Sequence, residues 1–148
     1  MQKFTVQNLE AFNVIGISVR TSNKDGNARK DIGALWKKFM SEGLMNNIPS
    51  IDSDEIYCVY TDYESDANGL YNAIIGCKVK DLNNIPEGFT GKKIPAASYH
   101  VYSSSGELNV TVPETWQLIW STEHERAYLA DFDVYGKDGV VKTFVTVQ

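Results

Sequence analysis

One order of elements, a β-branched strand followed by an amphipathic helix and a hairpin, is written twice along this chain of 148 residues. In the first copy, FNVIGISVR (12–20) is an apolar run that predicts a strand. ARKDIGALWKKFMSE (28–42) sets Ile32, Leu35, Trp36, Phe39 and Met40 on one helical stripe and directs Lys30, Lys37 and Lys38 elsewhere. Asn27 suits the N-cap, and Gly43 suits the left-handed residue that stops a helix. EIYCVYTDY (55–63) and LYNAIIGCKV (70–79) then flank Asn68-Gly69, a hairpin signal. The second copy opens on IPAASYHVY (94–102) as its strand. Thr111 and Glu114 have capping-box spacing with Pro113 in the first turn, which predicts a helix from about 112 with Trp116, Ile119 and Trp120 as its stripe. RAYLADFDVY (126–135) and VVKTFVTVQ (140–148) flank Lys137-Asp138-Gly139 as the second hairpin.

An offset of 80 lays Trp36, Phe39 and Met40 over Trp116, Ile119 and Trp120. An offset of 82 lays Gly16-Ile17 over Ser98-Tyr99, and one of 71 lays Tyr57 and Asp62 over Tyr128 and Asp133. The offsets differ because the loops differ in length, and the order indicates an internal duplication. The expected fold is therefore α+β: two βαββ units related by a pseudo-twofold axis, antiparallel strands, and both helices on one side. Repeat one covers about 1–80 and repeat two about 94–148; the stretch between, about 81–93 within DLNNIPEGFTGKKIP, reads as an ordered loop. Each unit has one helix to cover one strand face, so two units side by side leave a central groove, a common place for a small molecule.

Charge and motif content narrow the function. Lys plus Arg is 14 against 19 for Asp plus Glu, a formal charge of −5. A nucleic-acid binder draws most of its affinity from phosphate neutralisation, so this balance argues against direct contact with DNA or RNA. No apolar run reaches the roughly 20 residues of a membrane helix, and MQKFTVQNLEAFNV lacks a signal-peptide core, which predicts a cytoplasmic protein. Cys58 and Cys77 have no metal-ligand spacing, and His100 and His124 are the only imidazoles, so neither metal nor other cofactor is expected. A hairpin centred near residues 67 and 68 would set the two cysteines opposite each other, yet a reducing compartment predicts two thiols. GxxxxGK, GxGxxG, GxSxG and HExxH are all absent.

Four stretches, FNVIGISVRT, IPEGFTGKKIPAASYHVY, VPETWQLIW and ADFDVY, together with the duplication, give the chain a familiar order. It resembles the gyrase-inhibitor-like small-molecule-binding family, which includes effector-binding domains of AraC-type and multidrug-sensing bacterial regulators as well as stand-alone proteins. The resemblance covers nearly the whole chain and implies one effector-binding-like domain over 1–148, with an aromatic-lined groove for amphipathic, often cationic, organic compounds. It implies no cofactor. In the family an acidic residue holds the third position of the segment written here as DFDVY, which carries over to Asp133. The family more often has Glu there, and Asp reaches one bond less far. With no DNA-binding segment in view, a link to transcription regulation or drug sensing would run through the ligand or a partner protein. By family analogy that partner is a regulator or a gyrase-type protein, and the chain itself a monomer or homodimer.

Alternation along 128–135 puts Asp131, Asp133 and Tyr135 on one strand face, with Tyr128, Ala130, Phe132 and Val134 on the other. A carboxylate on an aromatic wall attracts a cation, more strongly where water is excluded, and each ring adds roughly 0.5–2 kcal/mol of cation–π attraction. The candidate ligand-binding residues are thus Asp133, Asp131, Tyr57, Tyr71, Tyr99, Tyr135, Trp116 and Phe132; Tyr63 and Tyr102 are further candidate rings. Two ordinary aspartates on a solvated face remain the competing reading. Trp36, Trp116 and Trp120 lie on helix stripes, where a core role competes with a groove role. Glu123 and Glu125 in TEHER read as a solvated helix end, with an acid–base pair as the competing reading. The resemblance implies two alternatives to a binding protein: a hydrolase of reactive small molecules using a groove carboxylate, and a protein-binding gyrase-inhibitor-like role.

Overall fold

In the computed structural model of the chain, residues 4–52, 54–64, 69–121, 127, 130–136 and 138–147 are described, apart from the side chains of Asp25, 108–110, Trp120 and Ser121. The strands are β1 (Thr5–Leu9), β2 (Phe12–Ser22), β3 (Ile56–Thr61), β4 (Leu70–Val79), β5 (Thr90–Ile94), β6 (Ala97–Ser104), β7 (Ala130–Tyr135) and β8 (Val141–Val147). Helix α1 (Asn27–Ser41) joins β2 to β3, and α2 (Leu108–Ser121) joins β6 to β7. The eight strands form one antiparallel sheet in the order β1-β6-β8-β7-β3-β4-β2-β5. Exchanging β1 with β5, β2 with β6, β3 with β7 and β4 with β8 reverses this order into itself. That is the topology of a duplicated unit about a twofold axis between β3 and β7, as the repeated sequence order predicts.

Two short connections then force curvature. β1 and β2 lie six strand spacings apart in the sheet, about 29 Å if it were flat. Only Glu10 and Ala11 separate them, a reach of about 11 Å. Pro95 and Ala96 impose the same constraint between β5 and β6. The sheet therefore rolls until its ends approach. Phe12 on β2 meets Phe132 on β7 at 5.3 Å between ring centroids, although their strands are three positions apart. The inner face encloses Val14, Tyr57, Val59, Ile74, Tyr99, Phe132 and Phe144. Close strand approach is also visible at Gly16 and Gly76, which pair across β2 and β4. A Cβ on either would stand 2.1 or 2.0 Å from a carbonyl oxygen of the other strand, so neither position admits a side chain.

Both helices cover the opposite, outer face. Leu35 and Phe39 of α1 pack on Ile15, Ile17, Ile75 and Cys77, while Ile119 of α2 packs on Tyr102 and Val145. Several expectations need correction. The stretch 81–93, read as a loop, contributes β5, and the N-terminal segment contributes β1; each pairs with the other repeat's first strand. Asn27 opens the helix itself, and Gly26, left-handed at φ 73°, takes the N-cap. Helix α2 begins at Leu108, one turn earlier than expected, with Pro113 inside it. Thr111 is not a cap, because its N–H already bonds the Glu107 carbonyl at 2.9 Å. Pairing of Tyr57 with Gly76 puts Cys58 opposite Ile75 and not opposite Cys77; both cysteines are buried and unbridged.

Candidate functional site

The outer face leaves a cavity of about 450 Å³ between the helices, within the range of small-molecule pockets. Its walls are Arg29 and Ile32 of α1 and Val112 and Trp116 of α2, and its floor is Tyr60, Tyr63 and Tyr71. The floor rings form a continuous aromatic surface. Tyr60 meets Trp116 edge-on at 5.4 Å and Tyr71 at 6.0 Å, and Tyr71 meets Tyr63 at 5.6 Å. Each arrives by alternation on β3 or β4, apart from Tyr63. There Asp62, left-handed at φ 52°, turns the chain out of β3.

Directly behind this surface is Asp133, with no exposed area. The Tyr60 hydroxyl donates to its Oδ2 at 2.8 Å, and Thr143 donates to Oδ1 at 2.5 Å. Trp116 Nε1 lies 3.2 and 3.3 Å from the two oxygens. All these donors are neutral. Burial raises the Asp133 carboxyl to about 6, against the lowering effect of the three donors; the Asp131 charge pushes it further up. Burial and the neighbouring Asp133 also hold the Tyr60 phenol well above its ordinary range, so it stays a donor at neutral pH. Cys58 Sγ in turn donates to the Tyr60 oxygen at 3.4 Å, completing a chain from thiol to phenol to carboxylate.

Asp131 shares the outer face but does different work. Its Oδ1 accepts from the Thr146 N–H and hydroxyl, both at 2.7 Å, and its Oδ2 from the Tyr63 hydroxyl at 2.5 Å. It clamps β7 to β8 and anchors one groove ring. Among the sequence candidates, Tyr63, Tyr71 and Trp116 line the cavity, with Asp133 and Asp131 buried behind it. Tyr135 lies on the same face but packs against Trp36 at 4.7 Å instead of lining the cavity.

Tyr57, Tyr99 and Phe132 lie on the inner face, in the core. The alternation that turns Asp133 toward the helices turns Phe132 away from them. Tyr57 and Phe132 do border a second cavity of about 520 Å³ at one end of the inner face. Its rim carries Glu10, Asp52, Lys78 and Lys80, which balance in charge, and among the described residues no buried carboxylate lines it. Tyr102 contacts α2 residue Ile119. The run TEHER and Tyr128 fall outside the described residues, as does the Trp120 side chain.

Sequence reasoning missed Tyr60, the ring that joins groove and carboxylate. Tyr57 and Tyr60 look alike in the strand; only the pairing of Cys58 with Asp133 fixes which one shares the acid's face. Among the described residues no group of three metal-ligating side chains converges, and no helix is long and apolar enough to cross a membrane.

Known proteins share this architecture. The integron cassette protein from the mobile metagenome of Vibrio cholerae superposes with a TM-score of 0.80 at 28% identity, covering 99% of this chain and 97% of that one. SAV2435, solved bound to tetraphenylphosphonium, superposes with a TM-score of 0.82 over 99% of this chain and 94% of its own; at 16% identity that likeness is one of fold. A Bacillus subtilis (strain 168) protein, provisionally named transcriptional regulator protein YobU, is 28% identical over 141 residues, covering 92% of this chain and 88% of that protein. Residues 5–146 match the family described as integron-associated effector binding protein, and the chain belongs to that family.

Proposed function

We propose that this effector-binding protein takes lipophilic organic cations into the groove between α1 and α2, with Asp133 supplying the complementary charge. One observation carries the reading: a fully buried carboxylate, held by neutral donors, lies behind the aromatic floor of a predominantly apolar cavity. A cation about 6 Å from that carboxylate, at an effective dielectric of about 20, gains roughly 3 kcal/mol. The faces of Tyr60 and Trp116 add cation–π attraction. The tetraphenylphosphonium bound to SAV2435 is a ligand of this chemistry and supports the reading. The regulator name of YobU supports a sensing role, in which occupancy of the groove is read by a partner protein in the cytoplasm. The net charge of −5 is consistent with a role that avoids direct contact with nucleic acid.

The test compares methyltriphenylphosphonium with the neutral triphenylphosphine oxide, of similar size, by quenching of aromatic fluorescence. The cation should bind in the micromolar range, about −8 kcal/mol. Asp133→Asn should weaken it about tenfold, or 1.4 kcal/mol, and leave the neutral compound within about twofold. Equal losses for both compounds, or no loss for the cation, would remove Asp133 from the site. Affinity for the cation should also fall as pH drops through about 6, because protonation removes the charge the ligand pairs with.

A further inference from the structure

The groove has two electrically different ends. Arg29, in the first turn of α1, is exposed and is the one charged residue among the described residues that line the cavity. Among the described residues nothing local neutralises it. The first turn of α1 carries no acidic residue, and Asp31 is engaged at 2.8 Å by the Thr21 hydroxyl. Among the described residues, no carboxylate lies within ion-pair reach of the Arg29 guanidinium. A groove evolved only for cations would gain nothing from a fixed positive charge in its wall, since like charges repel at this range. A guanidinium is instead a bidentate donor suited to a carboxylate.

We infer that the preferred ligand is an aromatic zwitterion, with its cationic end over Tyr60 and Trp116 in front of Asp133 and a carboxylate reaching Arg29 at the wall. This rests on the groove reading above and narrows it from organic cations to a bipolar class. The two charges also impose a direction on the ligand: a molecule entering with its carboxylate toward Asp133 would be repelled at both ends. Arg29 is solvent-exposed, so its pair with the ligand is the weaker contribution and acts mainly on selectivity.

A rhodamine dye prepared as its free carboxylic acid and as its methyl ester provides the probe, since the two share one cationic xanthene and differ only at the carboxyl. Fluorescence anisotropy on the full chain should show the free acid binding about fivefold more tightly than the ester, or about 1 kcal/mol. Arg29→Gln should remove that preference by weakening the acid alone, and Arg29→Lys should keep part of it. Asp133→Asn should weaken both dyes. If acid and ester bind equally, or if the preference survives Arg29→Gln, the zwitterion assignment is wrong while the cation reading stands. If neither dye binds and methyltriphenylphosphonium also fails, the cation reading itself falls and takes this inference with it.

Discussion

The two halves of the sheet share a topology and differ in what they place under their helices. At the centre, β3 and β7 run side by side, with Cys58 opposite Asp133 and Tyr60 opposite Asp131. In the first half, α1 covers a continuous apolar cluster of Ile15, Ile17, Leu35, Phe39, Ile75 and Cys77. In the second half, α2 covers a small cluster of Tyr102, Ile119 and Val145, beside two carboxylates and the threonines that hold them. One half anchors the fold, and the other carries the buried carboxylates. A duplicated backbone thus supplies two walls of matching shape, and sequence divergence between them makes the cavity electrically asymmetric.

The largest effect should come from the anchoring half. Phe39 is 1% exposed in the extended cluster under α1, and Phe39→Ala should cost about 3–5 kcal/mol. Ile119 is equally buried, but its cluster is smaller and edged by half-buried Phe4 and Trp116. A site with such neighbours relaxes more readily, so Ile119→Ala should fall near the low end of about 2–5 kcal/mol. Urea unfolding of both variants checks the asymmetry. It breaks if Ile119→Ala costs as much as Phe39→Ala.

The charged half should show its character through pH. The folded-state value of Asp133, about 6, lies above the ordinary carboxylate value of 3.8, so between these values the native state binds more protons than the unfolded chain. The stabilising contribution is therefore complete below about 4 and is lost as pH rises through 6, a difference of about 3 kcal/mol. Relative to Asp133→Asn, the wild-type protein should lose stability across that window. Its affinity for a cation should move the other way. A wild-type and variant pair with parallel stability curves from pH 4 to 7 would show that Asp133 does not titrate as its burial requires. The carboxylate is thus maintained at neutral pH against the stability of the empty protein, as expected of a group placed for a ligand.

Much of this was legible in the sequence because the relevant signals are local. The stripe of α1, the apolar runs of β2, β4 and β6, and the order that repeats them follow from periodicity. β1 and β5 were not legible. TVQNL is almost wholly exposed, and TGKKI carries Gly91, Lys92 and Lys93, so neither shows the alternation of a half-buried strand. Both are sheet edges, and each is a strand only because the opposite repeat's first strand pairs with it. The start of α2 was misplaced for a related reason: Pro113 looks like a first-turn residue, while the turn before it carries no stronger signal. At the site, alternation assigned Asp131 and Asp133 to one face correctly. It could not tell Tyr57 from Tyr60, because the facing of β3 relative to β7 depends on long-range register.

A smaller effect probes the link between the halves. Tyr60 belongs to β3 of the first half, yet its hydroxyl holds Asp133 of the second at 2.8 Å. Tyr60→Phe keeps the ring and removes a donor that favours the ionised acid. The pH midpoint for cation binding should therefore move above that of the wild-type protein, and affinity near pH 6.5 should fall about threefold, or ~0.7 kcal/mol. Titrating binding against pH decides it. An unchanged midpoint would mean that the first half contributes only shape.

The smallest effect on binding should come from Asp131→Asn, and its smallness is the sharpest check on the division of labour within β7. Asp131 and Asp133 are two residues apart on the same strand face, about 7 Å along the chain, so position alone makes them near equals. Their partners distinguish them. Asp133 is held by Tyr60 and Trp116, both of which line the cavity, so its charge lies one ring from the cavity space. Thr146 holds Asp131 from β8, its N–H and hydroxyl donating to Oδ1, and Tyr63 links Oδ2 to the groove. Asn at 131 retains an oxygen for Thr146 and can present its amide to a reoriented Tyr63 hydroxyl, so the clamp between β7 and β8 should persist with a loss of about 1 kcal/mol. Cation affinity should stay within about twofold of wild type while Asp133→Asn loses about tenfold. If the two substitutions weaken the cation equally, the groove reads the summed field of β7, and the assignment of charge recognition to Asp133 alone must be given up.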